Sequence, residues 1–475
     1  MKTEQIYTGC LSQATYYVVS DGEAIIIDPL REIKPYLKRL ANDGVKLKYI
    51  LETHFHADFV SGHLDLARKT GAPIIYGPEA STKQNCFSAR DGEIFKFGKA
   101  KVKVIHTPGH TLESSCFLVI DEDGNDHALF SGDTLFVGDV GRPDLAQKRE
   151  GMDDLLMSRL LYKSLREKII PLEDNIILYP GHGAGSACGK NMSAETVSTL
   201  GEQKKNNYAL RADMTEKEFI TAVNTGLSSP PAYFNMNAAL NKHGYTDFED
   251  VLKKGMQELN ADMFVAAADK ECLIVDSRKD SEFSKAFIPK SVNIGIEGSF
   301  APWAGTLIAN IEQPIIFVSD PGREEETITR LSRVGFDNLF GHLKGGFKTW
   351  QLSGKEVDRI NRISAAQFAV LVDAEKDLII DVRSEKEYNV GHVRNAVNKP
   401  LEYINDWFGQ LNAKQFFYLY CAAGYRSMAA ASILQARGLR DFAEIEGGFN
   451  AISRTSVPKT YFACEFKAIG SGKPG

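Results

Sequence analysis

No run in this 475-residue sequence approaches the ~20 consecutive apolar residues that a membrane-spanning helix needs. The opening MKTEQIYTGCLSQATYYVV also lacks the basic start and unbroken apolar core of a secretion signal, so a cytoplasmic protein without a membrane partner is expected. Blocks of one charge sign are missing too. With a net charge of -6 and no basic stripe, the chain shows no electrostatic footprint for nucleic acid or an anionic membrane. Its partners are expected among small molecules. Cysteine is scarce: Cys10, Cys86, Cys116, Cys188, Cys272, Cys421 and Cys464 are scattered and form no CxxC pair, which argues against a zinc ribbon or a disulfide framework. Reduced thiols are the expectation, most of them packing residues.

What is present is ordinary globular material, 43% hydrophobic and 25% charged. The length exceeds one hydrophobic core and suggests about three domains. Roughly the first 245 residues alternate short apolar strands with polar turns; ATYYVVS and EAIIIDP, separated by Asp21 and Gly22, predict a hairpin. From about residue 259 the chain repeats itself. CLIVDSRKDSEF at 272 is echoed by LIIDVRSEKEY at 378, and LKGGFKTW at 343 by IEGGFNAI at 445. Asp276 and Arg278 thus correspond to Asp381 and Arg383. Each copy reads as strand, helix, strand, the grammar of a parallel α/β unit. The expected domains are 1–250, 251–357 and 358–475.

The stretch THFHADFVSGH, residues 53–63, places His54, His56 and Asp58 on alternate positions after the strand KYILET, where side chains gather round one point. A second metal would want an imidazole at the next position, and Phe59 stands there. Three further candidates follow apolar segments: His110 in HTPGHT, Asp133 in FSGDTLF and His182 in YPGHGAGS, each beside glycines that allow tight turns. A lone histidine is more often structural than a ligand, but an ordered set is a constellation.

On these six residues the N-terminal region resembles the metallo-β-lactamase superfamily. That resemblance implies a four-layer αβ/βα sandwich with metal held between the sheet edges. Hydrolases of the superfamily such as glyoxalase II carry His-x-His-x-Asp-His and bind two metals bridged by the later aspartate, a pattern from which Phe59 departs. The region is most similar to the persulfide dioxygenases. This implies one iron(II) per chain held by His54, His110 and Asp133, with open coordination sites suited to dioxygen chemistry. His56, Asp58 and His182 would then orient the ligands and hydrogen-bond metal-bound water. VGRPDL at 140 and GHGAGSACGKN at 181 look like segments of the same family. Cys188, close after His182, reads either as a small buried filler or as a thiol near the iron. His63 reads as a surface or packing residue of the following helix.

LYCAAGYRSMAAAS places Cys421 at the end of an apolar strand, with a short loop leading into an alanine-rich helix. Loop amides and the helix N-terminus would direct positive charge at the sulfur, stabilising a thiolate or an anionic persulfide. Arg426 adds a charge and Ser427 a helix cap. The loop resembles that of rhodanese sulfurtransferases, Cys-x-x-Gly-x-Arg, matched by Cys421, Gly424 and Arg426 and accompanied by Asp381 and Arg383. Related phosphatases place one more residue between cysteine and arginine, so this spacing favours sulfur over phosphate. The first copy reads FVSDPGREEETI, with Ser319 in place of the nucleophile and Glu324 and Glu325 in place of Arg426 and Ser427. It resembles an inactive rhodanese.

The expected fold is therefore α/β multidomain, a metallo-β-lactamase αβ/βα sandwich followed by two rhodanese-like α/β domains with parallel sheets. The joined resemblances imply a persulfide dioxygenase coupled to thiosulfate sulfurtransferase activity in sulfide detoxification. Its small molecules would be a low-molecular-weight thiol persulfide, dioxygen, and sulfite or thiosulfate. The rival is a zinc-dependent thioester hydrolase carrying sulfur-transfer domains, and a third reading treats the repeated half as a binding module. Nothing in the sequence names the thiol carrier; Lys190, Tyr208 and Arg211 are candidates for contacts to an anionic substrate. Oligomeric state is open, a homo-oligomer included.

Overall fold

The computed structural model describes residues 1–82, 86–145 and 155–461; Cys464 lies outside them. Strands β1 (Lys2–Thr8), β2 (Gln13–Ser20), β3 (Glu23–Ile27), β4 (Lys46–Leu51), β5 (Ile74–Tyr76) and β6 (Phe87–Ser88) form one sheet in that order. Strands β7 (Ile94–Phe97), β8 (Ala100–His106), β9 (Ser115–Ile120), β10 (Asp126–Gly132), β11 (Ile177–Pro180) and β12 (Ser198–Thr199) form a second. The predicted hairpin joins β2 to β3. Asp21 and Gly22 both take positive φ, 40° and 82°, as a two-residue turn between right-twisted strands demands.

Alternate side chains of β2 and β3 build two different cores. Tyr16, Val18, Ile25 and Ile27 face the second sheet and pack with Val102, Val104, Phe117, Val119 and Phe130. Tyr17, Ala24 and Ile26 point the other way, against Tyr36 and Leu40 of helix Lys34–Asp43 and Leu66 of helix His63–Thr70. The second sheet is covered likewise, Leu118, Leu129 and Leu178 packing with Leu161, Phe219 and Val223 of outer helices. Strands buried on both faces carry near-continuous apolar runs, which is why EAIII reads without polar alternation. Helix, sheet, sheet, helix is the four-layer αβ/βα sandwich.

The repeated half holds two parallel sheets. Strands β13 (Glu258–Leu259), β14 (Leu273–Asp276), β15 (Val292–Asn293), β16 (Ile315–Val318) and β17 (Leu339–Leu343) form the first, in the order β13-β17-β16-β14-β15. In the second copy β18 (Arg362–Ser364), β19 (Leu378–Asp381), β20 (Gly391–Val393), β21 (Val397–Asn398), β22 (Phe417–Tyr420), β23 (Phe442–Glu446) and β24 (Lys459–Tyr461) follow. Its main sheet repeats the order, β18-β23-β22-β19-β21, while β20 pairs with β24. Two compact units result, and they cut across the first repeat. Residues Met1–Met256, Gly298–Gln313 and Glu325–Leu339 make one, and the remaining segments the other. Among the described residues, no helix is long and apolar enough to cross a membrane.

Candidate metal centre and sulfur-transfer loop

Every sequence-predicted ligand lies just beyond a strand. His54, His56 and Asp58 follow β4, His110 lies between β8 and β9, Asp133 follows β10 and His182 follows β11. All six are buried. Ligand atoms of His54, His110 and Asp133 lie within 4.8 Å of one another, and so do those of His56, Asp58 and His182. Asp133 joins the groups: its Oδ2 is 3.4 Å from His110 Nε2 and 3.8 Å from His54 Nε2, while Oδ1 is 3.6 Å from His182 Nε2. Close backbone approach permits this, since a Cβ on Gly181 would lie 2.6 Å from Asp133 Oδ1.

Second nitrogens fix the ring orientations. His110 Nδ1 is 2.9 Å from the Arg142 carbonyl and His182 Nδ1 3.2 Å from that of Ser12. His54 Nδ1 lies 3.0 Å from Thr53 Oγ1, whose hydroxyl donates to Asp28 Oδ2 at 2.9 Å. Each Nδ1 therefore carries the proton, and each Nε2 lone pair faces the centre. Burial, reinforced by His56, His110 and His182, holds the His54 imidazole well below its usual range and hence neutral. The buried Nε2 atoms of His54 and His182 and both carboxylate oxygens of Asp58 and Asp133 have no hydrogen-bond partner. Such orphans are costly unless a cation takes them. The donor set fits a metal.

His56 departs from the simple pattern. Its Nε2 is 3.1 Å from Asp28 Oδ1 and 3.6 Å from Glu52 Oε2, two buried carboxylates at the ends of β3 and β4. Burial opposes a charge on this ring, but those carboxylates outweigh it and raise His56 to about 9. Phe59 is fully buried, stacked on the His56 ring at 4.3 Å, and Asn241 donates to the carbonyls of both residues at 2.8 Å. His63 is not a surface residue. It is fully buried at the start of its helix, Nδ1 3.7 Å from Glu52 Oε1, and burial pushes it down to about 3. Asp28 and Glu52 were missed in the sequence, where each passes as the polar end of an apolar strand.

Cys188 does reach the centre, within 4.8 Å of Asp133 and His182 ligand atoms. Burial, then the Asp58 and Asp133 charges, hold its thiol well above the usual range. The suggested anion contacts are otherwise engaged. Lys190 Nζ donates to the carbonyls of Ala222 and Thr225, Tyr208 donates to Asp139 Oδ1 at 3.0 Å, and Arg211 pairs with Asp213.

In the second copy, Cys421 is buried at the end of β22 and Gly424, at φ 112°, turns the loop into helix Tyr425–Ala436. The Gly424 N–H donates to Cys421 Sγ at 3.1 Å, and Ser427 Oγ lies 3.4 Å from the same sulfur. Arg426 is held by Glu387 through two bonds of 2.6 and 2.7 Å, which brings the Glu387 carboxyl down to about 2. Asp381 and Arg383 close on each other at 2.6 Å, Arg383 lying 4.2 Å over the Phe449 ring. The first copy repeats this with Asp276, Arg278 and Phe347. The pair therefore recurs in both copies, with and without a cysteine at the nucleophile position.

Residues 8–182 match the model of the metallo-beta-lactamase superfamily, and residues 260–353 and 364–455 that of the rhodanese-like domain. The chain is similar to a probable hydroxyacylglutathione hydrolase of Schizosaccharomyces pombe, 31% identical over 209 residues, 42% of this chain and 76% of that protein. It is equally similar to the mitochondrial persulfide dioxygenase ETHE1 of Homo sapiens, 30% identical over 221 residues, 45% of this chain and 78% of that protein. A solved metallo-beta-lactamase from Staphylococcus aureus subsp. aureus COL superposes with a TM-score of 0.63 at 31% identity, covering 72% of this chain and 98% of that one.

Proposed function

Because the chain belongs to the metallo-beta-lactamase superfamily and carries two rhodanese-like domains, we propose that it is a persulfide dioxygenase coupled to a sulfurtransferase. One iron(II) per chain would be held by His54, His110 and Asp133. Bound there, iron supplies a redox-active ion with open positions for a persulfide and dioxygen. The observation that carries this reading is the pairing of a two-imidazole, one-carboxylate face with the absence of an imidazole at Phe59. His56 turns its Nε2 toward Asp28 and Glu52, while its ring still lies with Asp58 and His182.

The chain's own groups do the positioning. Thr53, Arg142 and Ser12 hold the three histidines in one tautomer, and the buried site excludes bulk water from a reactive persulfide. The substrate would be a small thiol persulfide, which with dioxygen and water yields the thiol and sulfite. Sulfite then accepts the outer sulfur of a Cys421 persulfide, releasing the Cys421 thiolate and thiosulfate. Run backwards, thiosulfate loads Cys421.

One observation favours a second reading, a two-metal thioester hydrolase. Asp58 has both oxygens unpartnered beside His182, and Asp133 reaches both groups. Metal analysis with oxygen uptake on several purified persulfides separates the two. About one iron per chain and persulfide-dependent uptake support the dioxygenase; two zincs and no uptake overturn it. Asp133→Ala should lose both iron and uptake while thiosulfate sulfurtransferase activity persists.

A further inference from the structure

The strand β23 carries an ionisable group where its neighbours are apolar. Glu444 lies between Ala443 and Ile445, fully buried, on a strand that pairs with both β18 and β22. Its Oε1 is 2.6 Å from Ser427 Oγ, and its Oε2 is 2.8 Å from Arg362 Nε. Arg362 Nη2 in turn donates to Asp280 Oδ2 of the first copy at 2.7 Å. A continuous line of polar atoms thus runs from Asp280 through Arg362, Glu444 and Ser427 to Cys421.

Ser427 has one hydrogen and three acceptors in reach: Glu444 Oε1 at 2.6 Å, the Gly424 carbonyl at 3.1 Å and Cys421 Sγ at 3.4 Å. A hydroxyl-to-carboxylate bond of that length is the strong, charge-assisted kind, so the hydrogen goes to Glu444. The hydroxyl lone pairs then face the sulfur and can accept its proton. We propose that Glu444 takes the proton of the Cys421 thiol through the Ser427 hydroxyl, with Arg362 and Asp280 holding the carboxylate in place. This rests on the reading of Cys421 as a sulfur-transfer nucleophile.

The step balances without a co-reactant. The S–H bond of Cys421 breaks and leaves its electron pair on sulfur; Ser427 Oγ receives that proton and passes its own to Glu444 Oε1. One negative charge moves from carboxylate to sulfur, where the Gly424 N–H receives it, and nothing is oxidised or reduced. Charged neighbours are Asp280, Arg362 and Glu446 on the Glu444 side, and Arg426, Glu387 and Glu402 on the sulfur side. Arg426 is already matched by Glu387. Burial raises the Glu444 carboxyl to about 7, against the pull of Arg362 and Ser427, the range in which a proton acceptor works best near neutrality.

The internal duplication supplies an independent comparison. In the first copy Ser319 replaces Cys421, Glu325 replaces Ser427 and His342 replaces Glu444, while Glu258 pairs with His342 as Arg362 pairs with Glu444. The whole line is missing together with the nucleophile, whereas the Asp-Arg pin persists. Glu444 is accordingly a positioning residue that acts through Ser427.

The test follows the pH dependence of iodoacetamide alkylation at Cys421 in the full-length protein, read by mass spectrometry of the Cys421 peptide. Glu444→Gln keeps the shape and still accepts the Ser427 hydrogen, but cannot take up a proton. Its alkylation rate at pH 7 should fall about tenfold, the factor carried by one pKa unit, with the profile displaced to higher pH. Glu444→Asp should restore part of the rate. Ser427→Ala, which alters only one hydroxyl in a helix, should reproduce the displacement, and the double variant should be no slower than either single one. Overlaying profiles for wild type, Glu444→Gln and Ser427→Ala would overturn the relay even if the protein transfers sulfur. A wild type without sulfurtransferase activity but with a Glu444-dependent profile would overturn the transfer reading and leave the relay standing.

Discussion

Replacing Phe59 with histidine tests whether one missing imidazole sets the metal count. Phe59 is fully buried and stacked on His56 at 4.3 Å. Losing that apolar side chain costs roughly 1.5–3 kcal/mol. Unpaired nitrogens of the incoming ring add about 1–3 kcal/mol. Metal-free Phe59→His protein should therefore lose about 2.5–6 kcal/mol, with a middle value of ~4, lowering the melting transition of the N-terminal unit by roughly 10 °C. Asp58 and His182 already offer unpartnered atoms for a second ion. Zinc at about a hundred times its Kd would return about 2.7 kcal/mol, most of the loss. Calorimetry with and without zinc, together with elemental analysis, measures both quantities. A variant that still binds one metal, with no zinc-dependent recovery beyond wild type, would refute the reasoning and place the limit at His56 and its carboxylates.

Cys421→Ser should leave oxygen uptake near wild type but shift the product from thiosulfate to sulfite on ion chromatography; unchanged thiosulfate output would sink the coupling. Glu444 gives a pH signature. Between about 4.5 and 7 the folded protein keeps a proton there that the unfolded chain has released, so stability of the C-terminal unit should fall as pH rises through that window and then level off. Glu444→Gln should flatten the limb in urea midpoints at pH 5 and 8, and an unaltered slope would exclude Glu444 as its source. Arg31 is fully buried, bound to Asp337 at 2.8 Å and stacked over Tyr245 at 4.0 Å. Asp337→Ala strands that charge and should cost about 3–5 kcal/mol, whereas Arg31→Met with Asp337→Leu should recover most of it; equal losses in single and double variants would contradict this.

The fold was legible because strand ends announce themselves. An apolar run that stops at His54, Asp133, His182 or Cys421 states both the strand and the residue delivered at its edge, and the Asp21-Gly22 turn fixes the hairpin register. Partners that come from another part of the chain left no such mark. Asp28 and Glu52 both engage His56 Nε2; Asp28 lies far from it in sequence, and Glu52, four residues before it, reads only as the polar end of its strand. Glu387 reaches Arg426 from the helix after Arg383, and its sequence signal is only that of a capping box at Ser384. Glu444 could have been read, as a carboxylate between the apolar Ala443 and Ile445 inside a strand. His63 is the packing residue of its helix that the sequence allowed, but a histidine opening a helix shows only its own helix in sequence, not the Glu52 it faces.

The first copy makes contacts near the metal centre that no motif encodes. Its segment Glu325–Leu339 belongs to the compact unit of the metal centre. There the Arg333 carbonyl accepts the Val60 N–H at 2.7 Å, next to Phe59, and Arg333 Nε donates to Glu32 at 3.1 Å. Gly335, at φ 88°, leaves no room for a side chain: a Cβ would lie 2.9 Å from Asn237 Oδ1 and Leu240 Cδ1. Those two residues lie on helix Phe234–His243, which also carries Asn241, the donor to the His56 and Phe59 carbonyls. The metal loop is thus braced from two sides by one stretch of a rhodanese-like repeat. In that role the helix needs stability at its N-terminus rather than a sulfur cradle, and Glu324 and Glu325 complement the helix dipole where Arg426 and Ser427 of the second copy serve Cys421. The residues that stand at these positions in the first copy suit its helix to hold the loop that carries Phe59.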